Sequence, residues 1–145
     1  MDKLLQNIKS CTLCKEHLPY APKPVLQVAS SSKIIIIGQA PGQKAHNSGI
    51  PWDDASGNNL RNWLDINKEL FYDAKLFALI PMGFCFPGTG KSGDLPPRKE
   101  CAITWHQSLF DAIEKPELVL LIGKYAYGYY LKGNAKATLT ETVKN

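Results

Sequence analysis

No apolar run in the 145-residue chain approaches the roughly 20 residues that a membrane-spanning helix needs. Internal repeats and low-complexity tracts are missing too, which sets aside solenoid, fibrous and disordered classes. The opening "MDKLLQNIKSCTLC" meets an acidic residue at once and has no apolar core of the kind a secretory signal carries. A cytoplasmic location is therefore the expectation. Charge of either sign is modest: 17 basic against 13 acidic residues leave a formal +4. That excess permits a polyanionic partner without demanding one. In a reducing compartment the four cysteines read as metal ligands or buried thiols rather than disulfides. What remains, 44% hydrophobic and 21% charged, is an ordinary globular composition, and the length suits one domain spanning 1–145 with its own core.

Local patterns then organise the chain. Leu4, Leu5 and Ile8 stand at helical spacing and predict a short amphipathic helix running into Cys11 and Cys14. "LPYAPKPVLQVASSS" carries three prolines and a serine run, and predicts an extended surface connection. "KIIIIG" has four isoleucines and no polar face, as a strand buried on both sides requires. A glycine turn and a polar loop through Asp54 follow. "SGNNLRNWLDI" then predicts a helix with Leu60, Trp63 and Leu64 on its core face and Ser56 or Asn58 as its cap. "AKLFALIP" and "ELVLLIG" read as two more buried strands. Between them lies a helix begun by Pro97, and after them a short helix stopped by Gly133. Alternation of this kind predicts an α/β fold, a three-layer α/β/α sandwich around a short central parallel sheet. The last stretch, "NAKATLTETVKN", starts an element without completing it.

"GTGKSGDLPP" invites comparison with a phosphate-binding P-loop. That motif needs a glycine at position 85, where this chain has Cys85, and a helix starting at the lysine. Pro96 and Pro97 forbid that helix. Nucleotide binding by this segment is not expected.

The cysteines frame it instead. Cys11 and Cys14 form a C-x2-C turn, the spacing that lets two thiolates converge on one metal or cluster. Cys85 and Cys101 are parted by fifteen residues of Gly/Pro-rich chain that can fold back to pair them. Four buried thiols acting as small hydrophobes are the alternative. After the first strand, "GQAPGQKAHNSGIPWDDASGNNL" occupies the place where open α/β sheets bind ligands. Gly38 and Gly42 allow close approach to a planar ligand, Trp52 offers a stacking face, and Asp53 and Asp54 are the paired carboxylates nearby.

Together these residues resemble the uracil-DNA glycosylase superfamily, nearest to its families 4 and 5, whose members carry a four-cysteine iron–sulfur cluster. There the first strand ends in G-[EL]-A-P-[GA], matched by Gly38-Gln39-Ala40-Pro41-Gly42. A glycine, two residues and a base-stacking aromatic follow, matched by Gly49-Ile50-Pro51-Trp52, and then S-G, matched by Ser56-Gly57. The cysteines occur in the family's order. The resemblance implies a [4Fe-4S] cluster on Cys11, Cys14, Cys85 and Cys101, with zinc as the alternative. It implies hydrolysis of the N-glycosidic bond of a flipped base in DNA, uracil or another deaminated base, by a monomer. Asp54 would steer water and balance the cationic sugar, as an Asp in a D-x-S-G does in family 5, and Gln39 would orient the water or the base. Gly38, Ala40 and Trp52 would hold the base, and Lys44, Lys91 and Arg98 would meet phosphate.

Three departures qualify the match. Gln39 stands where family 4 has Glu, and Pro81 where family 4 has the Asn that reads uracil. The family's last motif, an H-P-S segment on a fourth strand, has no counterpart before Asn145. A C-terminally incomplete domain is thus expected, with a non-catalytic, cluster-bearing DNA-binding module of the same fold as the second reading.

Overall fold

The computed structural model describes residues 1–131 of the chain. The expected stop at Gly133 and the segment after it lie outside the described residues. In chain order the elements are α1 (Asp2–Lys9), a 3-10 turn (Lys15–His17), β1 (Ile34–Gly38), α2 (Gln43–Ser48), α3 (Ala55–Leu64) and α4 (Lys68–Phe71). Next come β2 (Phe77–Pro81), β3 (Thr89–Gly90), β4 (Gly93–Asp94) and α5 (Lys99–Cys101). A π-helical stretch (Ala102–His106), α6 (Gln107–Ala112), β5 (Leu118–Leu121) and α7 (Lys124–Leu131) complete the set.

The isoleucine run is the centre of the molecule. β1 lies between β2 and β5 and pairs parallel to both, with Ile34 opposite Phe77 and Leu118 and Ile37 opposite Ile80 and Leu121. Side chains alternate across a strand, so Ile35, Ile37, Ala78 and Ile80 face one layer and Ile36, Phe77 and Leu79 the other. The first layer is α1, the α5–α6 helix and α7, through Ile8, Leu109 and Ala126; the second is α3 and α4, through Leu60 and Phe71. This is the three-layer α/β/α sandwich expected.

Several local expectations need correction. The proline-rich connection is extended but not superficial. Val25 and Val28 are buried, and Gln27 exchanges both backbone hydrogen bonds with Leu79 on the outer side of β2. The apolar spacing of Val25 and Val28 carried that burial, and the prolines masked it. β5 is less buried than its composition implied: Leu118 and Val119 are exposed, because among the described residues β5 pairs on one side only. The polar loop after the glycine turn contains a helix, α2. The cap of α3 is Asp54, whose Oδ1 accepts from the Gly57 N–H at 2.9 Å, rather than Ser56 or Asn58. Trp63 is 86% exposed, so the buried face of α3 is Gly57, Leu60 and Arg61.

The disputed glycine–lysine–serine segment is a β-hairpin. Gly90 pairs with Gly93 across a two-residue turn of Lys91 and Ser92, and no helix begins at the lysine. Gly93 has φ of +112°, a conformation that only glycine adopts freely. The phosphate cradle of a P-loop is therefore absent from this segment.

Candidate active site

At the carboxyl ends of the three parallel strands lies a pocket of about 490 Å3. Gly38 closes β1 there, Pro81 closes β2, and Ile122 and Gly123 follow β5. This is where ligands enter open α/β sheets, because loops diverge beyond the strand ends and leave a crevice. The volume is in the range of small-molecule sites. Backbone bonds stitch the crevice floor: Met82 N–H donates to the Gly38 carbonyl at 2.8 Å and Gly83 N–H to that of Gln39 at 3.0 Å.

Five residues expected at the site meet here: Gly38, Gln39, Ala40, Trp52 and Asp54 all line the pocket. Trp52 packs on Gly38 so closely that a Cβ on the glycine would stand 2.8 Å from indole Cζ2. Glycine at that position is what gives the ring its room. Asp54 has one carboxylate oxygen engaged as the α3 cap, which orients the group and leaves the other oxygen available. Gln39 is exposed, with its side-chain amide oxygen Oε1 4.0 Å from where a Gly123 Cβ would sit.

Asn59, Trp63 and Asp94 are lining residues that the sequence does not assign to the site. Asn59 and Trp63 follow Ser56 at helical spacing along α3 and form one wall, a relation that spacing alone could have revealed. Asp94 comes from the hairpin, with Oδ2 only 3.3 Å from the position of a Gly42 Cβ and Oδ1 near the Thr89 hydroxyl at 3.4 Å. No local pattern announces it, since only the hairpin fold carries it to the pocket. The lining thus holds two carboxylates, Asp54 and Asp94, and no lysine or arginine among the described residues. Such a site suits developing positive charge and repels phosphate.

The cations sit elsewhere. Lys44 lines a shallow polar depression beside the pocket, shared with Lys68, Asp53 and Asp54. Lys91 is exposed on the hairpin turn. Arg98 is not at the pocket: it forms an ion pair with Glu100 at 2.9 Å beside the cysteines.

The four cysteines are free and all line one small cavity, between the C-x2-C turn, the end of β2 and the start of α5. The hairpin segment does fold back. The Cys14 thiol donates to Glu100 Oε2 at 2.8 Å, and the Phe84 N–H approaches Cys101 Sγ at 3.5 Å. Burial raises the Cys14, Cys85 and Cys101 thiols to about 11, so they stay protonated at neutral pH, and any metal would have to displace the proton. Among the described residues no three Cys, His, Asp or Glu are drawn together tightly enough to hold a single metal ion. The donor set fits thiolate chemistry, and an N–H aimed at a sulfur is a usual companion of a ligating thiolate.

His106 is a further buried polar residue that the sequence reading passed over. Its Nε2 lies 2.8 Å from the Pro81 carbonyl, which can only accept, so that nitrogen carries the proton and Nδ1 accepts from the Tyr130 hydroxyl. Burial lowers its pKa and keeps the ring neutral. Through Pro81 it braces the pocket floor.

A family model described as the uracil DNA glycosylase superfamily matches residues 26–144. The chain belongs to that superfamily. The matched span takes in all three parallel strands, the whole pocket lining except Val25, and the second pair of cysteines. The first pair, Cys11 and Cys14, lies ahead of it. No helix among the described residues is long and apolar enough to cross a membrane.

Proposed function

We propose that the protein is a DNA base-excision glycosylase that hydrolyses the N-glycosidic bond of a base flipped out of DNA, with uracil the first candidate. The observation that carries this reading is the pocket at the strand ends, where Gly38, Gln39, Trp52 and Asp54 converge. A flipped base enters between the strand ends and stacks on Trp52. The bond breaks through an oxocarbenium-like sugar, and the carboxylates of Asp54 and Asp94 lower the energy of that cation. Asp54 and Gln39 orient the attacking water. Gln39 and Asn59 offer amides to the base edge, in place of the reader whose position Pro81 occupies. Backbone phosphates stay outside the acidic pocket, near Lys44 and Lys91.

Cys11, Cys14, Cys85 and Cys101 would hold a [4Fe-4S] cluster, with zinc the alternative. When bound, that group supplies four metal–thiolate links tying the N-terminal turn to the end of β2 and the start of α5.

The second reading, a cluster-bearing DNA-binding module without catalysis, is favoured by one feature. Gln39 is an amide and cannot take a proton from water. An excision assay on oligonucleotides carrying single uracil, hypoxanthine or xanthine residues separates the two. Abasic product from one of them supports the enzyme; binding without product on all three supports the module.

A further inference from the structure

Arg61 is 4% exposed in the body of α3, yet the only ion pair among the described residues belongs to Arg98 and Glu100. A buried guanidinium without a carboxylate is costly to desolvate, and packing alone would be served better by an apolar side chain. Its donors tie α3 to the segment that precedes it. Nη1 donates to the Trp52 carbonyl at 3.2 Å and to the Tyr72 hydroxyl at 3.2 Å, and Nη2 to Asn58 Oδ1 at 2.8 Å. The Tyr72 hydroxyl in turn donates to the Pro51 carbonyl at 2.8 Å. The guanidinium lies over the Phe71 and Tyr72 rings, 5.0 and 5.6 Å from their centroids, which offsets part of its lost hydration.

What these bonds hold is a strained backbone. Trp52 has φ of +60°, a left-handed conformation that a bulky residue adopts only when its surroundings impose it. Gly57 completes the arrangement. A Cβ there would stand 1.7 Å from the Trp52 carbonyl oxygen and 3.1 Å from Arg61 Nη1, so the missing side chain is the space in which carbonyl and guanidinium meet.

We propose that Arg61 and Tyr72 are positioning residues, a clamp that locks Trp52 in its left-handed conformation and so sets the base-stacking platform before any base arrives. The proposal rests on the reading of the pocket as a base site. Its physical advantage is preorganisation: a platform already ordered in the free protein loses little freedom on binding.

The test is a double-mutant cycle with an independent readout on the free protein. Duplexes with a single uracil opposite guanine, or with the undamaged pair, serve as probes, and the ratio of their affinities measures base capture. Trp52→Ala should lower that ratio about 5- to 150-fold, the range of one base–aromatic stack. Tyr72→Phe, which removes one hydroxyl and keeps the ring, should lower it several-fold, and Arg61→Met at least as much, neither by more than Trp52→Ala does. In a Trp52→Ala background both should change it less than twofold, because the residue they act through is gone. In the free protein, amide exchange over residues 51–57 should accelerate in both variants while β1 stays protected. Equal effects of Tyr72→Phe with and without Trp52, or unchanged exchange over 51–57, would overturn the clamp. Should wild type fail to prefer the uracil duplex, the base-site reading falls, and the exchange measurement still decides whether the clamp exists.

Discussion

On the proposed reading Asp54 carries two roles, and one pair of substitutions can pull them apart. Its Oδ1 caps α3 through the Gly57 N–H, and its charge faces the pocket. Asparagine caps a helix about as well as aspartate, whereas alanine loses about 1 kcal/mol at such a site. For a domain of this size that loss lowers Tm by about 3–5 °C. Asp54→Asn should therefore melt within about 1 °C of wild type, and Asp54→Ala should melt several degrees lower. Catalysis should respond differently. An oriented group aimed at charge that develops in the transition state commonly contributes ~10²–10³ in rate. Asp54→Asn removes the charge and retains the shape, so single-turnover excision should fall about 10²-fold or more, nearly as far as in Asp54→Ala. Affinity for the damaged duplex should change by less than about threefold, since the loss is confined to the transition state. Circular-dichroism melts and single-turnover gel assays measure the two axes separately. If Asp54→Asn excises at the wild-type rate while Asp54→Ala is slow and unstable, Asp54 is a cap and nothing more.

Three other outcomes are expected. Gly57→Ala would drive a methyl group to 1.7 Å from the Trp52 carbonyl, so it should destabilise the fold by about 3 kcal/mol or more, whereas Gly128→Ala, with nothing within 4 Å among the described residues, should stabilise α7 by about 0.5–1 kcal/mol; chemical denaturation of the two variants checks the contrast. Protein purified without oxygen should be brown, with iron in excess of zinc, and Cys101→Ala should lose both colour and thermal stability; colourless protein holding one zinc would replace the cluster and keep the site. His106 has its pKa lowered by burial, so the unfolded chain binds the proton more readily. Its contribution to stability is complete above about pH 6.5 and fades as pH falls from there toward the folded value; urea melts between about pH 7.5 and 5 should show a fall that His106→Gln flattens, and an unchanged slope in that variant would assign the acid sensitivity elsewhere.

Much of the scaffold was written in local pattern. Four isoleucines in a row leave no face for water, so "KIIIIG" reads as a strand buried on both sides and "FALIP" as another, and both are buried strands; that the first is central and the second its neighbour is a matter of sheet order. The glycines of "GQAPG" and the order of the four cysteines marked the two sites for the same reason. Glycine is the residue that lets a backbone come close, and cysteine the one that offers a thiol, so both stand out in a sequence whatever their spacing. The third strand was legible as a strand but not as an exposed one, because composition reports hydrophobicity and not what lies alongside. The tryptophans show the same limit. Trp52 and Trp63 are equally apolar; one packs on Gly38 and the other stands almost wholly in solvent at the pocket rim. Only the tertiary structure decided that Asp54 is a cap as well as a candidate catalyst, that Arg98 serves Glu100 beside the thiols, and that Asp94 swings into the pocket on a hairpin. It alone brought Arg61 and Tyr72, eleven residues apart, onto the neighbouring carbonyls of Trp52 and Pro51. Periodicity and motif spacing record what a residue does to its own element. Which carbonyl a buried guanidinium reaches depends on how two elements pack, and that is set by contacts between segments whose sequences carry no mark of each other.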